Sequence, residues 1–92
     1  MTDFQAFEQI TIIGIGLQGA SIAINARERG LARRIHIGDI SKAHCDRALE
    51  IGLGQMATQD LAAAVEGSDA VFVAVPLGAM AAVGEAIGPA LK

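Results

Sequence analysis

The chain has 92 residues and a formal net charge of −3, with 52% apolar and 18% charged residues, which allows one domain at most, without room for a second, catalytic one. That balance excludes disorder. Three Phe with no Trp or Tyr, and basic residues that form no broad face, argue against a nucleic-acid partner, which needs both charge and stacking platforms.

Met1 to Gln9 carries two acids, Asp3 and Glu8, and lacks the apolar core of a signal peptide. No segment reaches the roughly twenty apolar residues of a membrane span, so a protein without membrane contact is expected. From Gln9 to Gly14 the run Ile10-Thr11-Ile12-Ile13 predicts a short strand buried on both faces. The loop Gly14-Ile15-Gly16-Leu17-Gln18-Gly19 follows it. A helix from Leu17 to Arg29, with Ile22 and Ala26 on one face, ends at Gly30. Arg27, Arg29, Arg33 and Arg34 flank the turn after it, where cations favour a helix C-terminus, and a structural role is expected for them.

Arg33 to Asp39 predicts a second strand. Ser41 is the expected N-cap of a helix reaching Ile51, with Cys45, Ala48 and Leu49 on one face and Gly52 or Gly54 ending it. Gln55 to Thr58 predicts a very short third strand, and Asp60 a cap for a helix from Leu61 to Glu66. Asp69 to Val75 holds an unbroken apolar run from Ala70 and predicts a fourth strand, closed by Pro76. Met80, Val83, Ile87 and Leu91 then mark one face of a last helix, weakened by Gly84 and Gly88.

This alternation predicts an α/β fold: a doubly wound, Rossmann-like parallel sheet, incomplete at about four strands in the order 3-2-1-4. Its ligand crevice opens at the carboxyl ends of strands one and four, where Gly14 to Gly19 would face Val75-Pro76.

A G-x-G-x-x-G spacing alone is weak, but a strand before it, a helix after it and Asp39 about twenty residues beyond Gly19 make it a candidate dinucleotide loop. Gly14 would turn the chain, Gly16 would admit the pyrophosphate and Gly19 would let the helix pack closely. The N–H groups of Leu17 and Gln18 would face the phosphates, aided by the helix dipole. Asp39 would accept hydrogen bonds from the adenosine ribose and repel a 2′-phosphate. Ile40, where an Arg would be needed for that phosphate, favours NAD over NADP, although Lys42 leaves NADP open. Asp39 could instead serve only to cap the following helix. Ala74, Val75 and Pro76 complete the expected cofactor contacts.

The matching stretches Ile12 to Ala23, Gly38 to Ser41, Ala48 to Leu53, Thr58 to Leu61 and Ser68 to Leu77 resemble the N-terminal nucleotide-binding half of the prephenate and arogenate dehydrogenases of tyrosine biosynthesis. They cover nearly the whole chain. Gln18 departs from that family's aliphatic residue and Ala20 from a further glycine; neither blocks a cradle made of backbone N–H groups. The resemblance implies NAD(P)-dependent oxidative decarboxylation: hydride leaves a cyclohexadienol ring for the nicotinamide as carbon dioxide departs and the ring becomes aromatic. It also implies a homodimer when complete, and a catalytic His beyond Lys92. No catalytic residue is assigned here, and His36 and His44 are expected to be structural or solvated. Residues 1–92 are read as the N-terminal part of a dinucleotide-binding domain, inactive alone, with an exposed edge beside Asp69 to Val75 that invites association.

Other dehydrogenases of the β-hydroxyacid type share much of the pattern, and a nucleotide-sensing regulatory module is the competing reading. The single Cys45 forms no internal disulfide, no Cys and His pattern suggests a metal, and a reduced cytoplasmic setting is expected.

Overall fold

A computed structural model describes residues 7–91 of the chain. The reading of Met1 to Gln9 therefore concerns residues that lie, as far as residue 6, outside the described ones. Strands β1 (Phe7–Ile13), β2 (Ala32–Gly38), β3 (Met56–Thr58) and β4 (Ala70–Val73) alternate with helices α1 (Leu17–Glu28), α2 (Lys42–Glu50), α3 (Leu61–Val65) and α4 (Met80–Ile87). All strand pairs are parallel, in the order β3-β2-β1-β4. This is the expected doubly wound, Rossmann-like arrangement.

β1 is central because its neighbours pair on both sides, with Ile12 opposite Ile37 and opposite Phe72. Ile10, Thr11 and Ile12 are fully buried and Ile13 nearly so, as a β-branched run covered on both faces should be. On one face Ile10, Ile12, Ile35 and Ile37 pack against Ala23 and Ala26 of α1 and Ala48 of α2. Alanine at these contacts brings the helix backbones close to the sheet. On the other, Ile13 packs against Leu61, Ala64 and Val65 of α3 and Val83 and Ile87 of α4.

That second face turns polar toward the amino ends of the strands. The Thr11 hydroxyl donates to the Ala64 carbonyl at 2.6 Å and also meets the Ser68 hydroxyl. Gln9 Nε2 donates to Ser68 Oγ at 2.9 Å and to the Glu66 carbonyl at 3.0 Å. The short α3 leaves its last carbonyls without helical partners, and these side chains supply the missing donors.

Ser41 and Asp60 cap α2 and α3 as expected, accepting the N–H of His44 at 3.3 Å and of Ala63 at 3.1 Å. Three of the four arginines near the α1 turn meet structural partners: Arg27 donates to the Gly52 carbonyl at 2.6 Å, and Arg33 and Arg34 lie 2.9 and 3.8 Å from Glu8.

Several expectations need correction. Leu49 does not share the buried face of Cys45 and Ala48; it is 45% exposed, because one further residue turns the side chain about 100° around the helix. α4 stops at Ile87 and a 3-10 turn follows over Gly88–Ala90, since Pro89 brings no N–H and its ring blocks further helix. Val83 and Ile87 are its inward residues, whereas Met80 and Leu91 are exposed. β4 ends at Val73 rather than Val75. Its last rung is the Ala74 N–H on the Ile13 carbonyl at 2.8 Å; β1 turns away at Gly14, leaving Val75 no partner. As an edge strand, β4 is half-buried throughout. β2 likewise ends at Gly38, with Asp39 just beyond it.

Candidate functional site

The carboxyl ends of β1, β2 and β4 converge on the glycine loop. Gly14 N–H donates to the Gly38 carbonyl at 2.8 Å and Asp39 N–H to the Thr58 carbonyl at 3.1 Å, so the loop and the β2 end extend the sheet as fixed backbone. Gly14 has φ +88, in the region glycine tolerates. A Cβ there would also meet the Ala74 carbonyl oxygen at 2.6 Å and Val75 Cγ1 at 2.7 Å. Gly19 is buried, and a Cβ on it would fall 1.9 Å from the Gly14 carbonyl oxygen. These two glycines are therefore required by the protein's own packing.

Gly16 is different. A Cβ built on it meets nothing within 4 Å, although it is the N-cap residue of α1 and no side chain caps that helix. Its open face, at the uncapped N-terminus formed by Leu17 and Gln18, borders a cleft of about 480 Å³. Space and free helix N–H groups together fit a pyrophosphate.

Asp39 closes one side of that cleft. Its Oδ2 accepts the Ile15 N–H at 2.9 Å, and its Oδ1 accepts the Ser41 N–H at 2.8 Å. The ring Nδ1 of His44 lies 3.2 Å from Oδ2. Burial alone would raise the carboxyl pKa, but the bonds from Ile15, Ser41 and His44 outweigh it and hold the group below its ordinary value. Asp39 is thus an anion fixed to the glycine loop. It does not cap α2, a task Ser41 performs.

Ile40 is 78% exposed at the mouth of the cleft. Opposite stand Ala74, Val75 and Pro76, so the expected facing of the glycine loop and the β4 turn holds. Beyond them Leu61, Ala79 and Val83 make an apolar wall suited to a flat ring. Gln18 is exposed and does not border the cleft.

Sequence reasoning missed the part played by His44, which borders the cleft and touches Asp39. The signal was available: with Ser41 as N-cap, His44 is the third helical residue, whose side chain points back past the helix start. His36 lies within β2 and its buried Nδ1 has no hydrogen-bond partner. Burial first, then Arg34, lowers its pKa, with the nearby Ala64 backbone opposing. Among the described residues, no group of His, Cys, Asp and Glu could hold a metal ion, and no helix is long and apolar enough to cross a membrane.

A parallel sheet ordered 3-2-1-4, with a glycine-lined helix N-terminus and an acid at the end of the second strand, defines a dinucleotide-binding domain of the Rossmann type. The model of the prephenate dehydrogenase nucleotide-binding domain matches residues 22–92, and the chain belongs to that family. The match begins after the glycine loop, whose role rests on the geometry above. A cyclohexadienyl dehydrogenase of Zymomonas mobilis is 38% identical over 86 residues, which are 94% of this chain and 29% of that protein. Among solved structures, Synechocystis arogenate dehydrogenase superposes with a TM-score of 0.77 at 28% identity, over 91% of this chain and 29% of that one. Prephenate dehydrogenase from A. aeolicus, in complex with hydroxyphenyl propionate and NAD+, gives a TM-score of 0.85 at 24% identity, over 92% and 30%; at that identity the likeness is one of fold. The chain thus spans under a third of the length of these relatives.

Proposed function

We propose that this chain holds NAD for a prephenate or arogenate dehydrogenase, with the catalytic and dimerisation residues elsewhere in a larger homodimeric enzyme. The observation that carries the reading is Gly16, where a Cβ meets nothing within 4 Å beside an uncapped helix N-terminus, while its neighbours Gly14 and Gly19 are held by internal contacts. The pyrophosphate would lie over Gly16 with the N–H groups of Leu17 and Gln18 as donors. The ribose would meet Asp39, and the adenine would lie among Ile40, Val75 and Pro76.

When bound, NAD supplies the hydride acceptor for oxidative decarboxylation of a cyclohexadienol acid. The chain's own residues bind and orient. Asp39, held ionised, favours a ribose hydroxyl over a 2′-phosphate, and the Ile40 side chain offers a phosphate neither charge nor hydrogen bond. The relatives named above are dehydrogenases of this substrate class, which supports the reading. A reducing compartment such as the cytoplasm suits the buried thiol of Cys45.

Calorimetric titration with NAD and NADP, followed by assay of NADH formation with prephenate and with arogenate in the complete enzyme, tests the proposal. Tighter binding of NAD than NADP and turnover of one of the two acids are expected. Absence of NAD binding would reject it.

A further inference from the structure

His44 meets Asp39 in a way that the expected cofactor contacts do not use. Its Nδ1 lies 3.2 Å from Asp39 Oδ2, with side-chain exposures of 57% and 9%. The ring borders the main cleft and also a shallower pocket of about 310 Å³ on the other side of Gly16, beside Ile15 and Ala20. Neighbouring cations are engaged elsewhere: Lys42 pairs with Asp46 at 2.9 Å and Arg47 with Glu50 at 2.6 Å. A carboxylate has about four acceptor positions. Ile15 and His44 take the two on Oδ2, and Ser41 takes one on Oδ1.

We propose that His44 is a positioning residue for the adenosine ribose: its Nδ1–H, with the Ile15 N–H, saturates Oδ2 of Asp39 and leaves one acceptor position, on Oδ1, for the ribose 2′-hydroxyl. The inference rests on the dinucleotide reading above. The Nδ1–H tautomer follows from the contact, because an unprotonated Nδ1 would set a lone pair against a carboxylate oxygen. The position on α2 also follows, since the third helical residue reaches back over the cap while its own N–H is held by Ser41. Replacing the exposed ring therefore leaves the α2 cap in place.

The test is calorimetric titration of the protein and its His44→Ala and His44→Asn variants with NAD and with the 2′-deoxyadenosine analogue of NAD, alongside thermal melts. His44→Ala is expected to bind NAD about tenfold more weakly, the scale of one hydrogen bond to a charged group. Asn, whose amide N–H can stand where Nδ1–H stands, is expected to recover most of the loss. With the 2′-deoxy analogue the penalty should shrink to within about twofold, because the oriented acceptor has lost its donor. Unchanged NAD affinity in His44→Ala, an equal loss for both ligands, or a loss that Asn does not recover would overturn the role of His44. A parent protein that binds NAD with any of these outcomes leaves the dinucleotide reading standing; a parent that binds no NAD overturns both.

Discussion

The Asp39 carboxylate accepts the Ile15 N–H at 2.9 Å, which ties the end of β2 to the middle of the glycine loop. The residue proposed to meet the ribose is therefore also one that holds the glycine loop in shape. Its carboxyl lies below the ordinary value because the Ile15, Ser41 and His44 bonds exceed the opposing effect of burial. A depressed carboxylate stabilises the fold fully above its unfolded value of about 3.9 and loses that contribution as pH falls through its folded value. Thermal melts between about pH 6 and pH 3 should show a steeper acid loss for the parent than for Asp39→Asn. Parallel curves would remove the anion from the fold's stability.

Gly19→Ala should destabilise the domain by about 3 kcal/mol or more, as an overpacked contact does when backbone must move. The added Cβ would stand 1.9 Å from the Gly14 carbonyl oxygen, which is fixed by the β1 turn. Urea denaturation monitored by circular dichroism measures the loss. A variant as stable as the parent would mean that α1 can slide off the loop.

Thr11→Val keeps the shape of a fully buried side chain but removes its hydroxyl. The Ala64 carbonyl and the Ser68 hydroxyl would each lose a partner. A cost of about 1–3 kcal/mol is expected in denaturant unfolding. Adding Ser68→Ala should not recover the loss, because Gln9 Nε2, which donates to the Ser68 hydroxyl, would then lose that acceptor.

Burial pushes the Cys45 thiol up and the Asp39 charge pushes it further, against a smaller backbone contribution at Asp39; the S–H donates to the Asp39 carbonyl at 3.3 Å. The thiolate is the reactive form. Cys45 should therefore resist a disulfide reagent in the native protein and react fully once denaturant unfolds it. Rapid native labelling would show that α2 opens locally.

Much of the fold was legible because each element carried its own punctuation. The run Ile10 to Ile13, the caps Ser41 and Asp60 and the glycine spacing each act within a few residues, where sequence order and spatial order coincide. The lengths of β4 and α4 were not legible from periodicity. β4 ends where β1 runs out of carbonyls at Ile13, a tertiary limit, and Pro89 halts α4 before the apolar spacing reaches Leu91. The site shows the same division. The loop and Asp39 could be placed from spacing, but the bond between Asp39 and Ile15 joins residues 24 apart in sequence, and the unequal roles of three similar glycines depend on what surrounds each one.

Gly16 provides the most direct test of cofactor binding at this loop. Its backbone, φ −64 and ψ −161, is open to L-residues, and a Cβ there meets nothing within 4 Å. Gly16→Ala should therefore melt like the parent while placing a methyl group where the proposed pyrophosphate would approach. Calorimetry with NAD is expected to show binding weakened at least about tenfold, a loss of 1.4 kcal/mol or more, at unchanged melting temperature. NAD affinity equal to that of the parent would contradict a pyrophosphate seated on this loop.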